Sequence, residues 1–170
     1  MRSHILYFYT LISLFLPQSR FFSLKAQLLR LAGASVGRNV RIISSARFAT
    51  SGSLEIGKDT FIGHDVMILG GTADIKIGEG CDIAPRVLLV TGSHKIDSVG
   101  PKAAGEGFSS PISIAAGCWL CASSTILGGT QIGSHSVVVA GSVVRGTFPP
   151  YSLIAGNPAI LVKTLPSLTP

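Results

Sequence analysis

His94 is the side chain best placed to move a proton. It opens a stretch, Thr91 to Ser110, that reads TGSHKIDSVGPKAAGEGFSS. Glycine-rich excursions of this kind often carry function on a rigid scaffold. An imidazole, with an ordinary pKa of about 6.5, can take a proton from an alcohol near neutral pH. No nucleophile motif accompanies it. Asp97 and Glu106 share the stretch, and either could orient the ring; spacing selects neither. His64, His94 and His135 raise a metal centre, which for zinc needs nitrogens converging at about 2.0–2.1 Å. Their gaps of 30 and 41 residues supply no close pair, and no metal is expected. Cys118 and Cys121 form a lone CxxC. Three cysteines make an odd count, so a disulfide framework is not expected.

What must position His94 is legible in the residues that follow it. From Ile114 the chain divides into sixes: IAAGCW, LCASST, ILGGTQ, IGSHSV, VVAGSV. Each block opens on Leu, Ile or Val, and its fifth position is small: Cys118, Ser124, Thr130, Ser136, Ser142. Neither an α-helix nor a flat strand has period six. A fixed six-residue period indicates stacked coils of a parallel β-helix. Each block is a short strand and a corner, and three blocks close one coil. The leading aliphatic points inward, the small residue fills the corner, and a coil is stable only against its neighbours. IGEGC and IAAGC share a phase, so Cys81 and Cys118 read as corner fillers on adjacent coils.

Earlier blocks keep this phase: VGRNVR, IISSAR, IGKDTF, IGHDVM, IGEGCD and IAPRVL. The phase drifts over 48–53 and 68–74 and breaks over about 92–110, which is read as one loop thrown out from a corner. Five or six coils are expected over 33–163. Pro149-Pro150 ends the last block, Asn157-Pro158 shapes a closing turn, and 164–170 is expected to be a flexible tail. Residues 1–32 lack the repeat. Ile5 to Leu16 is apolar but only 12 residues long, too short to span a bilayer as a helix, and no cleavage site follows it. Residues 18–32 suit an amphipathic helix with Arg20, Lys25 and Arg30 on its polar side. This helical arm is expected to pack on the solenoid or to lie in a membrane interface. The net charge of +6 suits an anionic partner, either a phosphorylated cofactor or a membrane surface. Scattered basic residues and sparse aromatics argue against nucleic acid.

The blocks, the TGSH loop and the run GCWLCASSTILGGTQIGSHSVVVAGSVV with FPPYSLIAGNPA together resemble the hexapeptide-repeat acyltransferases. The resemblance covers roughly residues 35–163 and is to the branch of maltose and galactoside O-acetyltransferases and of polysaccharide or O-antigen acetyltransferases. It implies an all-β left-handed parallel β-helix and a homotrimer with active sites between subunits. It implies acetyl-CoA as donor, a sugar or glycan as acceptor, and His94 as the catalytic base. On the acceptor side it points to Asp65, where the sugar enzymes carry Asn, and to Trp119. Along the pantetheine arm it points to Ala122, Ala140, Gly141 and Ser142. For the cofactor phosphates it points to Arg145, one residue before the lysine of many relatives, and to Lys163. Gamma-class carbonic anhydrases share the fold, but their pattern of histidines five apart is missing. The expected function is O-acetylation of a sugar hydroxyl in surface-polysaccharide synthesis, on the cytoplasmic side, with peripheral membrane contact through 1–32. Two alternatives stay open: an amino-sugar N-acetyltransferase, whose usual preceding nucleotide-binding domain has little room in 32 residues, and a non-enzymatic trimeric scaffold.

Overall fold

The computed structural model describes residues 1–167. Two helices, α1 (Ser3–Phe15) and α2 (Phe22–Leu31), precede a three-faced solenoid of short parallel strands. The first face stacks Ser35–Val36, Leu54–Ile56, Ile75–Ile77, Ile112–Ile114, Gln131–Ile132 and Thr147–Phe148. The second stacks Arg41–Ile42, Phe61–Ile62, Asp82–Ile83, Trp119–Leu120, Val137–Val138 and Ser152–Gly156, and Ala159–Thr164 folds back antiparallel as a seventh strand. The third stacks Arg47–Ala49, Met67–Leu69, Leu88–Val90, Thr125–Leu127 and Val143–Val144. These make six turns on the first face, within the five or six expected.

The six-residue period works as its physics requires. The block leaders Ile114, Leu120, Ile126, Ile132, Val138 and Val144 are all buried, each worth about 1.5–3 kcal/mol of transfer free energy. The small fifth residues Cys118, Ser124, Thr130, Ser136 and Ser142 are buried beneath the corners. Their polar atoms are met by main-chain groups: Thr130 Oγ1 donates to the Val144 carbonyl at 3.1 Å, and Ser136 Oγ accepts from the Ser152 N–H at 3.0 Å. Cys81 and Cys118 do stack on successive coils, their neighbours Asp82 and Trp119 being register partners. All three thiols are free. The adjacent Cys81 thiol, and after it burial, pushes the Cys118 thiol up.

Corner geometry decides where the chain can vary. The corner from first to second face carries a column of left-handed residues: Asn39, Asp59, Gly80, Gly117, His135 and Tyr151. Gly117 is the tight point of this column: its φ is +69° and an added Cβ would lie 2.7 Å from the His135 ring, which would have to shift. The corner from second to third face repeats the device with Asp65, Arg86, Ser123 and Gly141. Each of these corners uses four residues in nearly every coil, whereas the third corner takes 50–53, 70–74, 91–111, 128–130 and 145–146 in turn. Both phase drifts and the long excursion therefore leave by one edge. Register partners along the first face step from Val36 to Ile56, Ile77, Ile114, Ile132 and Phe148 without loss of pairing.

The arm corrects one expectation. Lys25 is not on a solvated polar side: it is fully buried, with Nζ donating to the Gln18 carbonyl at 3.0 Å and to Ser44 Oγ at 3.1 Å. Arg30 also turns toward the solenoid, donating to the carbonyls of Val36 and Gly37 at 2.9 and 2.8 Å. The first coil has no coil beneath it, so its backbone acceptors would otherwise lack partners; Arg30 supplies donors to two of them, and Lys25 reaches the coil through the Ser44 hydroxyl. Leu6, Tyr9, Ala26 and Leu29 are buried with them, Tyr9 packing edge-on to Phe48. At the far end the antiparallel strand turns at Asn157-Pro158 and closes the stack. Thr164 ends that strand and the Leu165 N–H donates to the Tyr151 carbonyl, so the expected tail is tied down at its start. The remainder of that tail, 168–170, lies outside the described residues.

Burial lowers the Lys25 pKa to about 8, against its ordinary 10.5. The folded protein therefore holds fewer protons than the unfolded chain between these values, and stability rises with pH across that window. Below about pH 8 both states are protonated and the burial penalty is constant. Stability measured by denaturant unfolding should increase from pH 8 to 10 in the parent and lose this component in Lys25→Met. An unchanged slope in the variant would remove Lys25 as its source.

Candidate active site

The long excursion at the third corner is an antiparallel hairpin, Gly92–Ile96 with Ala104–Ser109. Its root is fixed to the solenoid by hydroxyls. Thr91 Oγ1 accepts from the Gly71 N–H at 2.9 Å and from Ser109 Oγ at 3.0 Å, and Ser109 Oγ accepts from the Ala73 N–H at 3.3 Å. The corner segment around Gly71 thus forms a floor under the hairpin. Between them lies a cleft of about 440 Å³, lined by Gly71, Thr72, Gly92, Ser93, His94, Gly107, Phe108 and Ser109.

His94 is the titratable side chain of that lining. Its Nδ1 lies 2.8 Å from the Gly105 carbonyl oxygen. A carbonyl only accepts, so Nδ1 carries the hydrogen and donates. In the neutral ring, Nε2 then keeps its lone pair, and no described residue hydrogen-bonds it. Gly107 is the cross-strand partner of His94, and its missing side chain leaves the ring room. The choice between Asp97 and Glu106 is settled by their own partners. Glu106 pairs with Lys95 across the hairpin. Asp97 Oδ1 accepts from the Gly100 and Val99 N–H groups at 2.8 and 3.0 Å, which hold its carboxyl below the usual range. Neither hydrogen-bonds His94; the Gly105 carbonyl holds the ring.

The other expected site residues lie elsewhere on the prism. Ala122, Ala140 and Gly141 stand at the second corner, on successive coils, with the Gly141 N–H donating to the Ala122 carbonyl at 3.0 Å. Ser142 follows them, but its side chain is buried and its Oγ accepts from the Gly156 N–H at 3.2 Å; only its backbone can border a ligand there. Asp65 belongs to the same corner column, exposed and with positive φ. Trp119 projects outward from the second face, 52% exposed. Arg145 lies at the third corner, lining a small cavity of about 40 Å³ at the hairpin root with Ser93, Phe108 and Gly128. Lys163 is exposed on the last strand of the second face. The hairpin edge and the Ala122–Gly141 edge are thus opposite margins of the third face. One chain brings Arg145 and His94 to one margin and leaves Asp65, Ala122, Ala140 and Gly141 on the other.

The three histidines stand at three different corners, and among the described residues no three His, Cys, Asp or Glu side chains converge as a metal site would require. Sequence reasoning missed the Gly105 carbonyl and the Thr91–Ser109 clasp. A hydroxyl at each border of the insertion was the available signal.

No protein-family model matches the chain. An Escherichia coli acetyltransferase provisionally assigned to colanic acid biosynthesis is 33% identical over 142 residues, 82% of this chain and 74% of that protein. A crystal structure of a hexapeptide-repeat-containing acetyltransferase of Vibrio cholerae, complexed with acetyl-CoA, superposes with a TM-score of 0.80 at 30% identity. That match covers 98% of this chain and 87% of the other. The chain belongs to the hexapeptide-repeat acetyltransferases. The galactoside O-acetyltransferase of Escherichia coli is a further relative of this acetyltransferase, 30% identical over 132 residues, 78% of this chain and 64% of that one. The fold is accordingly the left-handed β-helix of that family, and the alternative of a non-enzymatic scaffold falls away.

If the Gly105 carbonyl holds the ring, Glu106→Gln should leave acyl transfer within about threefold of the parent, as expected for an exposed ion pair. Release of free thiol from the donor measures it. A hundredfold loss would return the orienting role to the carboxylate.

Proposed function

We propose that this acetyltransferase moves acetyl from acetyl-CoA to a sugar hydroxyl of a surface-glycan precursor, with His94 as general base. The observation that carries the reading is the His94 ring itself, which borders the cleft with Nδ1–H committed to Gly105 and Nε2 open. Nε2 takes the hydroxyl proton as the acceptor oxygen attacks the thioester carbonyl carbon. The C–S bond then breaks, and the proton passes from the imidazolium to the departing thiolate, giving ester and free thiol. The relatives' names, in galactoside O-acetylation and colanic acid synthesis, support a sugar acceptor and O-transfer.

The site is completed by a second copy of the chain in a homotrimer. The outer side of the third face supports this, because two mostly apolar files run along it, Met67, Leu88, Thr125 and Val143 in one and Leu69, Val90 and Leu127 in the other. Packing such faces around a threefold axis would set the His94 hairpin of one chain beside the second corner of the next. That corner would contribute Ala122, Ala140 and the Gly141–Ser142 backbone to the pantetheine arm. Asp65 and Trp119 would serve the acceptor, and Arg145 and Lys163 the phosphates.

The arm is proposed to rest on an anionic membrane surface. With Lys25 and Arg30 turned to the solenoid, the arm exposes Tyr7, Phe8, Leu14 and Phe15 of α1, Phe21 ahead of α2, and Leu31. Residues 1–54 carry seven Arg and Lys and no Asp or Glu, so the excess charge that looked scattered in the sequence lies at this end. Aromatic and basic surfaces of this kind bind membrane interfaces. Among the described residues no helix is long and apolar enough to cross one.

His94→Ala should lower transfer by about 10²–10⁴-fold with acetyl-CoA binding retained by calorimetry. Ala140→Trp should block the donor arm. Co-expressed, the two inactive chains should recover roughly a quarter of parental activity by statistical pairing in a threefold ring. Substantial turnover by His94→Ala sinks the mechanism, and absence of recovery sinks the shared site. The parent should co-sediment with anionic vesicles in low salt, and a Phe8→Glu/Phe15→Glu variant should stay in the supernatant. A parent that also stays there overturns membrane contact.

A further inference from the structure

A second groove lies one coil below the His94 cleft, between α1 and the variable corner. It holds about 470 Å³ and is lined by Leu6, Tyr7, Thr10, Phe48, Ala49 and Thr50 among others, with no charged side chain. Its two threonine hydroxyls are engaged with the main chain, Thr10 Oγ1 donating to the Leu6 carbonyl at 3.0 Å and Thr50 Oγ1 to the Gly71 carbonyl at 3.4 Å, while the Tyr7 and Ser51 hydroxyls add polar points at its rim. The surface left to a ligand is mostly carbon. At its upper end the lining includes Gly70, and Gly71 is already part of the His94 cleft. An added Cβ on Gly70 would lie 2.2 Å from Thr50 Oγ1, so this junction stays narrow and side-chain-free. At its lower end Tyr7, 62% exposed, belongs to the same outer surface of α1 as Phe8 and Phe15. An apolar path therefore runs from the outer surface of the arm to the margin of the base, over a rise of about one strand spacing, 4.8 Å.

We propose that this groove holds the first methylenes of the hydrocarbon chain of a membrane-borne glycolipid acceptor, while its sugar hydroxyl occupies the His94 cleft. This rests on the O-acetyl-transfer reading above and narrows the acceptor. A nucleotide-linked or diphosphate-linked sugar places two phosphates between the sugar and the rest of the molecule. Phosphates call for Arg or Lys, and neither lines the groove or the adjoining cleft; the Met1 ammonium at the groove's edge is engaged by the Ser51 carbonyl at 2.9 Å, and Arg145 lies in the separate small cavity at the hairpin root. The acceptor that fits is one whose hydrocarbon is joined to the sugar without a phosphate bridge. Tyr7 and Ala49 are then specificity-determining contacts with the chain.

The test is a panel of methyl and octyl glycosides of common hexoses and N-acetylhexosamines. The octyl compounds are used as monomers in solution, and dodecyl glycosides are presented in anionic vesicles. For whichever sugar is acetylated, octyl should exceed methyl by about tenfold or more in kcat/KM, because burying two methylenes alone is worth about that factor. The preference should hold without vesicles. Ala49→Trp, which fills the groove, should bring the octyl-to-methyl ratio near one. Tyr7→Lys, at an exposed position that does not threaten folding, should do the same. Equal kcat/KM for methyl and octyl overturns the inference while leaving O-acetyl transfer intact. So does a preference that appears only in vesicles, which would report recruitment by the arm alone. So does a ratio that neither variant changes, or a sugar nucleotide or polyprenyl-diphosphate sugar that outcompetes the octyl glycoside. If no glycoside of either length accepts acetyl, the parent reading fails and the groove assignment with it.

Discussion

Coil must sit on coil in unbroken register, and this constraint governs everything else in the molecule. Before the closing pair, each strand of the three faces is two or three residues long and cannot persist alone; its backbone groups are satisfied only by the coils above and below. Two corners hold four residues in nearly every coil, each using a left-handed residue at the same height. Any surplus chain must leave at the third corner, and it does so in every coil that has one. The hairpin that carries His94 is the largest of these departures. In this chain the other two corners carry no added residues.

The same ladder explains the arm. A stack has two ends, and each presents unpaired acceptors. The C-terminal end is closed by a strand that folds back on itself. At the N-terminal end Lys25 and Arg30 reach the first coil instead, and a helix pair that would otherwise point its cations at water is turned over. The exposed aromatic surface of α1 and α2 follows from that inversion. An end cap built from cations leaves apolar side chains as the part that meets the surroundings.

Much of this was legible in the residues. The period of six named the core files, the small fifth residues named the corners, and the break after Thr91 located the hairpin and His94. What was not legible depends on tertiary contacts that have no sequence period. Lys25 sits at a helix position where cations are usually solvated, and only the open end of the first coil makes its burial sensible. The orienting partner of His94 was sought among carboxylates because side chains are visible in a sequence. A carbonyl eleven residues away, brought across by hairpin pairing, is not. The division of the candidate site between two margins of one face could not be read either, because it depends on which corner each block reaches.

The uneven corner has an evolutionary reading. Four residues, then five, then twenty-one, then three and two pass through the same edge without disturbing a single pairing on the first face. That edge behaves as a seam into which new chain can be spliced at little thermodynamic risk. Substrate range in such a scaffold can drift by exchanging what hangs from the seam, while the load of folding rests on the two edges that do not change.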